Sequence, residues 1–272
     1  MKTNPLVTLY RNKSFSWGYN PVINEKSDPT KIGIGVYRLK PGQKATVDTK
    51  GREVALVSLS GKGVFSFREK KFSFSRHDWE EEEPAVVHVS SETSLAIEAQ
   101  EISEIILCAI TNPKKFKSHA YYPSEIKREM RAQGTLSETA TRIVRTVFDR
   151  QNAPEESLMV LGEVVNFPGR WSSYPPHHHI QPEVYFYRFK LKQGYGHGEL
   201  GEEVFKVKDK DLLRITDERG HSQTSAPGYC MYYLWAVRHL PGKPYTGFTY
   251  FPEHKWTLEA KTTQELRVES RK

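Results

Sequence analysis

Residues 35–61, GVYRLKPGQKATVDTKGREVALVSLSG, line up with residues 162–191, GEVVNFPGRWSSYPPHHHIQPEVYFYRFKL. Both stretches place a Pro-Gly turn between runs of β-branched and aromatic residues, which favour strands. The alignment sets Glu53 against Glu183 and suggests a duplicated β unit. The first copy has VDTK where the second has consecutive histidines, so only the second unit is predicted to bind a metal.

Short strand-like segments separated by turn residues continue on both sides of these stretches, a spacing typical of a sandwich or small barrel. We therefore predict an all-β protein with two antiparallel β-barrel or jelly-roll domains, residues 1–111 and 157–272. Residues 112–156 change character, and Ser124 before EIKREMRAQ predicts the N-cap of a short helix. This middle segment is predicted to be a helical connection.

The composition limits the kinds of partner that the chain is expected to have. Its 272 residues are 37% hydrophobic and 27% charged, as in globular proteins. The net charge of +7 comes from basic residues interleaved with acidic ones and without a nucleic-acid motif, so no nucleic-acid partner is predicted. No segment has the roughly 20 apolar residues of a membrane span, so no membrane partner is predicted either.

The cysteines and the N-terminus indicate the compartment. Cys108 and Cys230 lie in apolar runs and are interpreted as buried free thiols, which fit a reducing environment. The N-terminus lacks the apolar region of a signal peptide, so we predict a cytoplasmic protein. Exposed barrel edges leave room for a homo-oligomer.

A cluster of metal-binding residue types lies in the second half. His177 and His179 point to one side of a strand, while His178 points to the other. A turn in the three residues before Glu183, which include a proline, brings its carboxylate to the same side. His221, after a later strand, is the predicted fourth ligand. This set leaves coordination positions open, as in catalytic sites for divalent zinc, manganese or iron.

The predicted metal ligands and two nearby arginines can also be interpreted in other ways. His197, in a glycine-rich hairpin, competes with His221 as the fourth ligand. An H-x-H pair also occurs by chance, and adjacent histidines can be a surface feature. Arg188 and Arg170 are candidate carboxylate clamps, because guanidinium binds carboxylate in bidentate fashion, but each is equally an ordinary salt-bridge residue.

The motif around the histidines resembles a known family. The stretch W-S-S-Y-P-P-H-x-H begins at Trp171, an acidic residue opens the aromatic strand at Glu183, and Y-R-F begins at Tyr187. This pattern is similar to the 5-deoxy-glucuronate isomerases of inositol catabolism, in the cupin superfamily. A glycine-histidine pair ending at His221 and the N-terminal REVALVSLSGKGVF are similar too. The short spacing before Glu183 is closer to the related 5-dehydro-4-deoxy-D-glucuronate isomerase of pectin breakdown.

The resemblance implies a bicupin fold and a metal-dependent aldose–ketose isomerase acting on a small sugar acid. The implied reaction converts 5-deoxy-D-glucuronate to 5-dehydro-2-deoxy-D-gluconate, with Arg188 or Arg170 holding the substrate carboxylate. Proton transfer is assigned to Tyr187, to Glu183 or to a metal-bound hydroxide, and this choice stays open. The alternatives are the pectin-pathway isomerase, a non-haem metal cupin oxygenase and a non-catalytic sugar-binding cupin.

Overall fold

The computed structural model describes residues 6–11 and 13–260. The described chain is mostly β, and every strand pairing in it is antiparallel. Short 3-10 helices cover Pro123–Glu125, Leu136–Glu138 and Pro252–Leu258. The strands are β1 (Val7–Thr8), β2 (Gly18–Ile23), β3 (Ile32–Leu39), β4 (Lys44–Val47), β5 (Arg52–Phe67), β6 (Lys70–Arg76), β7 (Val86–Val89), β8 (Leu95–Ala99), β9 (Ser103–Thr111), β10 (His119–Tyr121), β11 (Lys127–Arg131), β12 (Arg142–Phe148), β13 (Met159–Asn166), β14 (Trp171–Ser172), β15 (His177–His178), β16 (Glu183–Arg188), β17 (Tyr195–Leu200), β18 (Glu203–Lys208), β19 (Leu212–Ile215), β20 (Gln223–Ser225), β21 (Met231–Arg238) and β22 (Thr249–Tyr250).

Two large sheets contain most of the strands. The first has the order β10-β7-β5-β9-β3-β2, and β4, β6 and β8 join it through the long strand β5. The second has the order β1-β19-β16-β21-β13-β12-β11. Two smaller sheets, β14-β20-β17-β18 and β15-β22, come from the second half of the chain. Each half of the sequence therefore forms the centre of its own sheet system.

Strand alternation divides the apolar residues among three main cores. Even residues of β16, such as Phe186, join a central cluster that contains residues of both large sheets, for example Val36 of β3. Odd residues of β16, such as Tyr187, face a separate core within the second half. A third core, around Phe65, lies within the first half. The central cluster joins the two halves through the hydrophobic effect, at about 25 cal/mol for each Å² of buried apolar surface.

The predicted duplication aligns the two Pro-Gly turns with equivalent structures, but it aligns Glu53 with Glu183 although their side chains have different surroundings. Gly42 follows β3 and Gly169 follows β13, and both adopt positive φ, +77° and +72°. Glu53 and Glu183 each lie at the start of a strand, but they face different layers. Glu53 bonds residues of the second half, whereas Glu183 shares the face of Tyr185. Because side chains alternate along a strand, an offset of one residue is enough to move a side chain to the other face.

The helix predicted after Ser124 is wrong. Ser124 lies in a single 3-10 turn, and Lys127–Arg131 is strand β11, which pairs with β12. The charged residues of this segment have good helix propensity, but pairing with a neighbouring strand overrides such a weak preference. The connection is therefore largely extended rather than helical.

The middle segment also adds strands to both sheets. β10 pairs with β7 of the first sheet, whereas β12 pairs with β13 of the second. At the opposite edge of the second sheet, β1 from the N-terminus pairs with β19. Within the described residues, no helix is long and apolar enough to cross a membrane.

Candidate metal centre

The histidine motif lies on β15 and in the bend that follows it. The side chains of His177 and His179 are buried, and the side chain of His178 between them is 28% exposed. This alternation is the one predicted for an H-x-H pair on a strand. The bend brings the chain to Glu183, the first residue of β16.

Two histidines converge on one carboxylate oxygen. The Nε2 atom of His179 lies 3.1 Å from Oε2 of Glu183, and Nε2 of His221 lies 3.5 Å from the same oxygen. One ligand atom from each of these residues lies within 4.8 Å of the others. His177 is adjacent, with its ring centroid 4.7 Å from that of His221. His197 lies on β17 beside Tyr195, outside this cluster.

Backbone carbonyls orient all three imidazoles in the same way. The Nδ1 atom of each ring lies 2.9 to 3.2 Å from a carbonyl oxygen. A carbonyl can only accept a hydrogen bond, so each Nδ1–H is the donor. In a neutral ring Nε2 then carries a lone pair, the arrangement that metal-bound histidines use. The carbonyls belong to Pro175 for His177, Gln181 for His179 and Arg219 for His221.

The electrostatics of the cluster suit a cation. Burial lowers the pKa of His177 to about 3, and burial together with the neighbouring His177 lowers the pKa of His221 to about 3. Both rings are therefore neutral at pH 7. Nε2 of His221 is buried without a hydrogen-bond partner and faces a carboxylate, so two electron-rich atoms oppose each other.

A divalent ion between these atoms would remove that repulsion. Ligands at about 2.0 to 2.2 Å from an ion lie roughly 3.0 to 3.5 Å from one another, which matches the distances from Glu183 to His179 and His221. The donor set of imidazole and carboxylate suits zinc, manganese or iron. The residues present therefore fit a divalent metal.

The cluster lies in the wall of a cavity of about 440 Å³, which is within the usual range of ligand pockets. One wall of the cavity is the face of the second large sheet that carries Tyr185 and Tyr233, and residues that follow β21, such as Tyr245 and Phe248, form another part of the wall. Besides His177, His179 and Glu183, its lining includes Tyr185, Tyr233, Tyr245, Phe248, Arg131 and Arg142.

Tyr185, rather than the predicted Tyr187, contributes a tyrosine to this cavity from β16. The hydroxyl of Tyr187 lies 2.5 Å from Oε1 of Gln223 and donates to it, and Tyr187 is not among the lining residues. The hydroxyl of Tyr185 lies 3.0 Å from Oγ of Ser173, which also lines the cavity. Burial raises the pKa of both tyrosines well above the ordinary value, so both hydroxyls stay protonated.

The two predicted arginine clamps do not line the cavity. Arg188 occupies an even position of β16 and bonds Glu104 at 2.7 Å and Asp209 at 2.8 Å. Arg170 is partly exposed and lies 3.4 Å from Glu138. The structure therefore brings neither guanidinium to the histidine cluster.

Arg142 was not among the predicted site residues. This residue opens β12, in the segment predicted to be a connection, and its buried side chain lines the cavity. No local pattern marks it, because its approach to His177 depends on the pairing of β12 with β13. Tyr185 could have been found, since it shares the odd-numbered face of Glu183.

Comparison with known proteins gives the family. The sequence model of the KduI/IolB family matches residues 9–257. This chain belongs to the KduI/IolB family. One relative, the 5-deoxy-glucuronate isomerase of Geobacillus kaustophilus (strain HTA426), is 29% identical over 249 residues, which cover 85% of this chain and 87% of the relative.

Solved structures support the fold assignment. An IolB-like protein from Salmonella typhimurium LT2 superposes with a TM-score of 0.79 at 20% identity, covering 93% of this chain and 98% of that one. A cupin 2 conserved barrel domain protein from Leptotrichia buccalis gives 0.50 at 12% identity, covering 84% and 91%. The fold of this KduI/IolB chain is therefore mostly β and cupin-like.

Proposed function

We propose that this KduI/IolB protein is a metal-dependent isomerase that converts 5-deoxy-D-glucuronate to 5-dehydro-2-deoxy-D-gluconate. One observation carries the proposal: two imidazoles whose Nδ1 atoms bond backbone carbonyls direct their Nε2 atoms at one oxygen of the Glu183 carboxylate, which is bonded by no other described residue. The name of the Geobacillus relative supports the choice of reaction.

The finer architecture is part of the proposal. We assign residues 1–111 and 157–272 to two cupin barrels of jelly-roll type, with residues 112–156 between them. Strands β1, β11 and β12 are exceptions to these bounds, because they pair within the second large sheet. Separate hydrophobic cores in the two halves support this division. The first-half core consists of apolar side chains such as Phe65 and Phe74, so the metal is assigned to the second barrel alone.

His177, His179, Glu183 and His221 are the proposed metal-holding residues. A bound divalent ion would supply positive charge to the two adjacent sugar oxygens on which negative charge develops during isomerisation. The Nδ1 hydrogen bonds hold the imidazoles in place, which reduces the reorganisation needed for binding. Aromatic side chains in the cavity wall, such as Tyr245 and Phe248, would limit the contact of the reacting carbons with water.

The isomerisation moves one proton from C2 to C1 and another from the C2 hydroxyl to the C1 oxygen, so the product is an isomer. A group beside the cluster must pass these protons. We assign the transfer between the two oxygens to the hydroxyl of Tyr185, which lines the cavity and shares Ser173 with the hydroxyl of Tyr233. A protonated hydroxyl can donate to one oxygen while it accepts from the other. This assignment replaces Tyr187, whose hydroxyl is held by Gln223.

A direct assay tests the reaction. Purified protein of known metal content is incubated without oxygen with 5-deoxy-D-glucuronate, and in parallel with the pectin-derived 5-dehydro-4-deoxy-D-glucuronate. The expected result is a ketone product from the first substrate, and its loss after chelation. Turnover of only the second substrate would instead favour the pectin-pathway isomerase, which the short spacing before Glu183 resembles.

Two further outcomes would reject the isomerase. Oxygen consumption by the iron-loaded protein, without anaerobic turnover, would indicate a cupin oxygenase. Binding of both sugar acids without any product would indicate a sugar-binding protein. A Tyr185→Phe and Tyr187→Phe pair then tests the proton assignment, since only the first change should lower turnover by about 100-fold, within the range for acid–base groups.

We also propose a cellular location and a state of assembly. A cytoplasmic protein fits the buried thiol of Cys108, and cell fractionation tests it. The end strands β2 and β11 of the two large sheets are available for self-association. Sedimentation velocity will show whether the protein is a homo-oligomer.

A further inference from the structure

The cavity contains a buried positive charge with no acidic partner among the described residues. The side chain of Arg142 is 6% exposed. Nη1 donates to the carbonyl of Ala140 at 2.9 Å, and Nη2 donates to the carbonyl of Tyr174 at 3.0 Å. Nε is buried and has no hydrogen-bond partner. Only neutral carbonyls therefore compensate this guanidinium.

The other buried arginines of the described chain differ from Arg142. Arg76 and Arg145 both pair with Glu163, at 2.6 and 2.8 Å, and Arg214 pairs with Asp28 at 2.7 Å. Buried charges in proteins are normally paired, because burial without an opposite charge costs several kcal/mol. Arg142 is the exception, and among these four only Arg142 lines the cavity.

Arg142 is also adjacent to the metal-holding residues. Its guanidinium bonds the backbone carbonyl of Tyr174, and Tyr174 precedes His177 by three residues in the sequence. Its charge is one of the causes, after burial, that lower the pKa of His177, and burial lowers the pKa of Arg142 itself. The positive charge thus lies in the same cavity as the metal cluster.

We infer that Arg142 anchors the carboxylate of the sugar-acid substrate while the opposite end of the sugar lies at the metal cluster. This inference rests on the proposed function and adds the residue that makes the site specific for an acid. A carboxylate would supply the missing anion and accept paired hydrogen bonds from the guanidinium. Arg188 and Arg170 lack this opportunity because each already faces an acidic residue.

The test compares an acidic substrate with its neutral counterpart. The neutral compound is 5-deoxy-D-glucose, in which a CH2OH group replaces the carboxylate. In the metal-loaded enzyme, we expect Arg142→Met to lower kcat/KM for 5-deoxy-D-glucuronate by about 100-fold, the usual order for losing a buried charge partner. Turnover of the neutral sugar should change by less than about threefold. An equal decrease in kcat/KM for both sugars would show that Arg142 only holds the backbone at Ala140 and Tyr174 in position.

Matched variants control for charge and folding. Arg128→Met removes the same charge from an exposed residue on β11 and should change neither rate. If Arg142→Met does not fold, Arg142→Lys keeps the charge but not the bidentate geometry. It should lower turnover of the acid by about tenfold with metal content unchanged. An unchanged preference for the acid in Arg142→Lys and Arg142→Met would overturn the inference.

A binding measurement separates this inference from the proposed reaction. Calorimetric titration of metal-free protein with 5-deoxy-D-glucuronate needs no turnover. Binding that weakens about 100-fold in Arg142→Met supports the anchor even if the loaded wild-type enzyme forms no product. Turnover with an Arg142-independent affinity for the acid rejects the anchor and leaves the isomerase in place. Absence of any acid binding to the wild-type protein also rejects the anchor.

Discussion

Two buried glutamates, each next to histidine, have opposite surroundings in this molecule. The carboxylate of Glu53 receives hydrogen bonds from His88, Ser157, Asn112 and the backbone of Leu158, at 2.6 to 2.9 Å. Every partner there is a donor. The Glu53 carboxylate thereby links the first half of the chain to the second.

Glu183 faces two imidazole Nε2 atoms instead. Its nearest polar atoms are Nε2 of His179 and of His221, whose Nδ1 atoms already donate to carbonyls. A buried carboxylate surrounded by donors is a structural residue, whereas one surrounded by lone pairs needs a cation. The difference shows that a His residue next to a Glu residue is not enough to suggest a metal site, and that the direction of the imidazole N–H groups distinguishes the two clusters.

Removing the charge of Glu183 should have the largest effect. Glu183→Gln is expected to lower turnover of 5-deoxy-D-glucuronate by about 1000-fold and to lower bound metal in parallel, because a ligand charge is lost. The amide can donate to Nε2 of His221, so the metal-free variant should be as stable as metal-free wild type, or about 1 kcal/mol more stable. Metal analysis and urea unfolding measure both quantities. Full metal content in the variant would remove Glu183 from the ligand set.

The same substitution at Glu53 should have the opposite pattern. Glu53→Gln leaves donors such as Ser157 and Asn112 without an anionic acceptor, so we expect a loss of about 3 to 5 kcal/mol in unfolding free energy. Metal content per folded molecule should remain that of the wild type. A Glu53→Gln protein that is fully stable but metal-free would contradict the structural role of Glu53 and would make Glu53 a candidate metal ligand.

Metal addition provides a smaller, independent measure. A divalent ion at 100 times its dissociation constant should stabilise the wild type by about 2.7 kcal/mol. This corresponds to roughly 5 to 10 °C in melting temperature for a chain of this size. Scanning calorimetry should show the same increase in Glu53→Gln and none in Glu183→Gln. Equal increases in all three proteins would place the ion elsewhere.

Acid should reduce the contribution of Glu53. Burial by itself raises the pKa of Glu53, but hydrogen bonds from His88, Ser157 and Asn112 leave it below the ordinary value of 4.5. A carboxyl group with a lowered folded-state pKa stabilises the protein above its unfolded-state pKa. This stabilisation is lost as the pH falls through the folded-state value. The stability gap between wild type and Glu53→Gln should therefore narrow below about pH 4.5, as measured by urea midpoints. A constant gap down to pH 3 would contradict this account.

Local patterns predicted the parts of the site that depend on one strand and its neighbouring turn. The H-x-H alternation and the proline before Glu183 were sufficient to bring His179 and Glu183 together. The position of Arg188 could also be derived, because an even-numbered residue of β16 cannot share the face of Glu183. Its long side chain and charge made it an attractive clamp, but its strand parity excluded it.

Other features depend on pairing between distant strands. Lys127–Arg131 has helix-forming residues, and only its pairing with β12 makes it a strand. Arg142 enters the cavity because β12 lies beside β13, which no local pattern reveals. The predicted helix after Ser124 was therefore wrong, because the neighbouring strand across the sheet decides the structure there.

The positions of β1 and β11 at the two ends of the second large sheet restrict which fragments of the chain can be expected to fold. Residues 157–272 supply only the interior strands of the second large sheet, while β1 and β11–β12 close its two edges from elsewhere in the chain. A recombinant fragment beginning at residue 157 would expose two unpaired edges and lack the arginine that opens β12. Split-protein and truncation designs must therefore keep the middle segment attached to the second half of the chain, and they must supply strand β1 in trans.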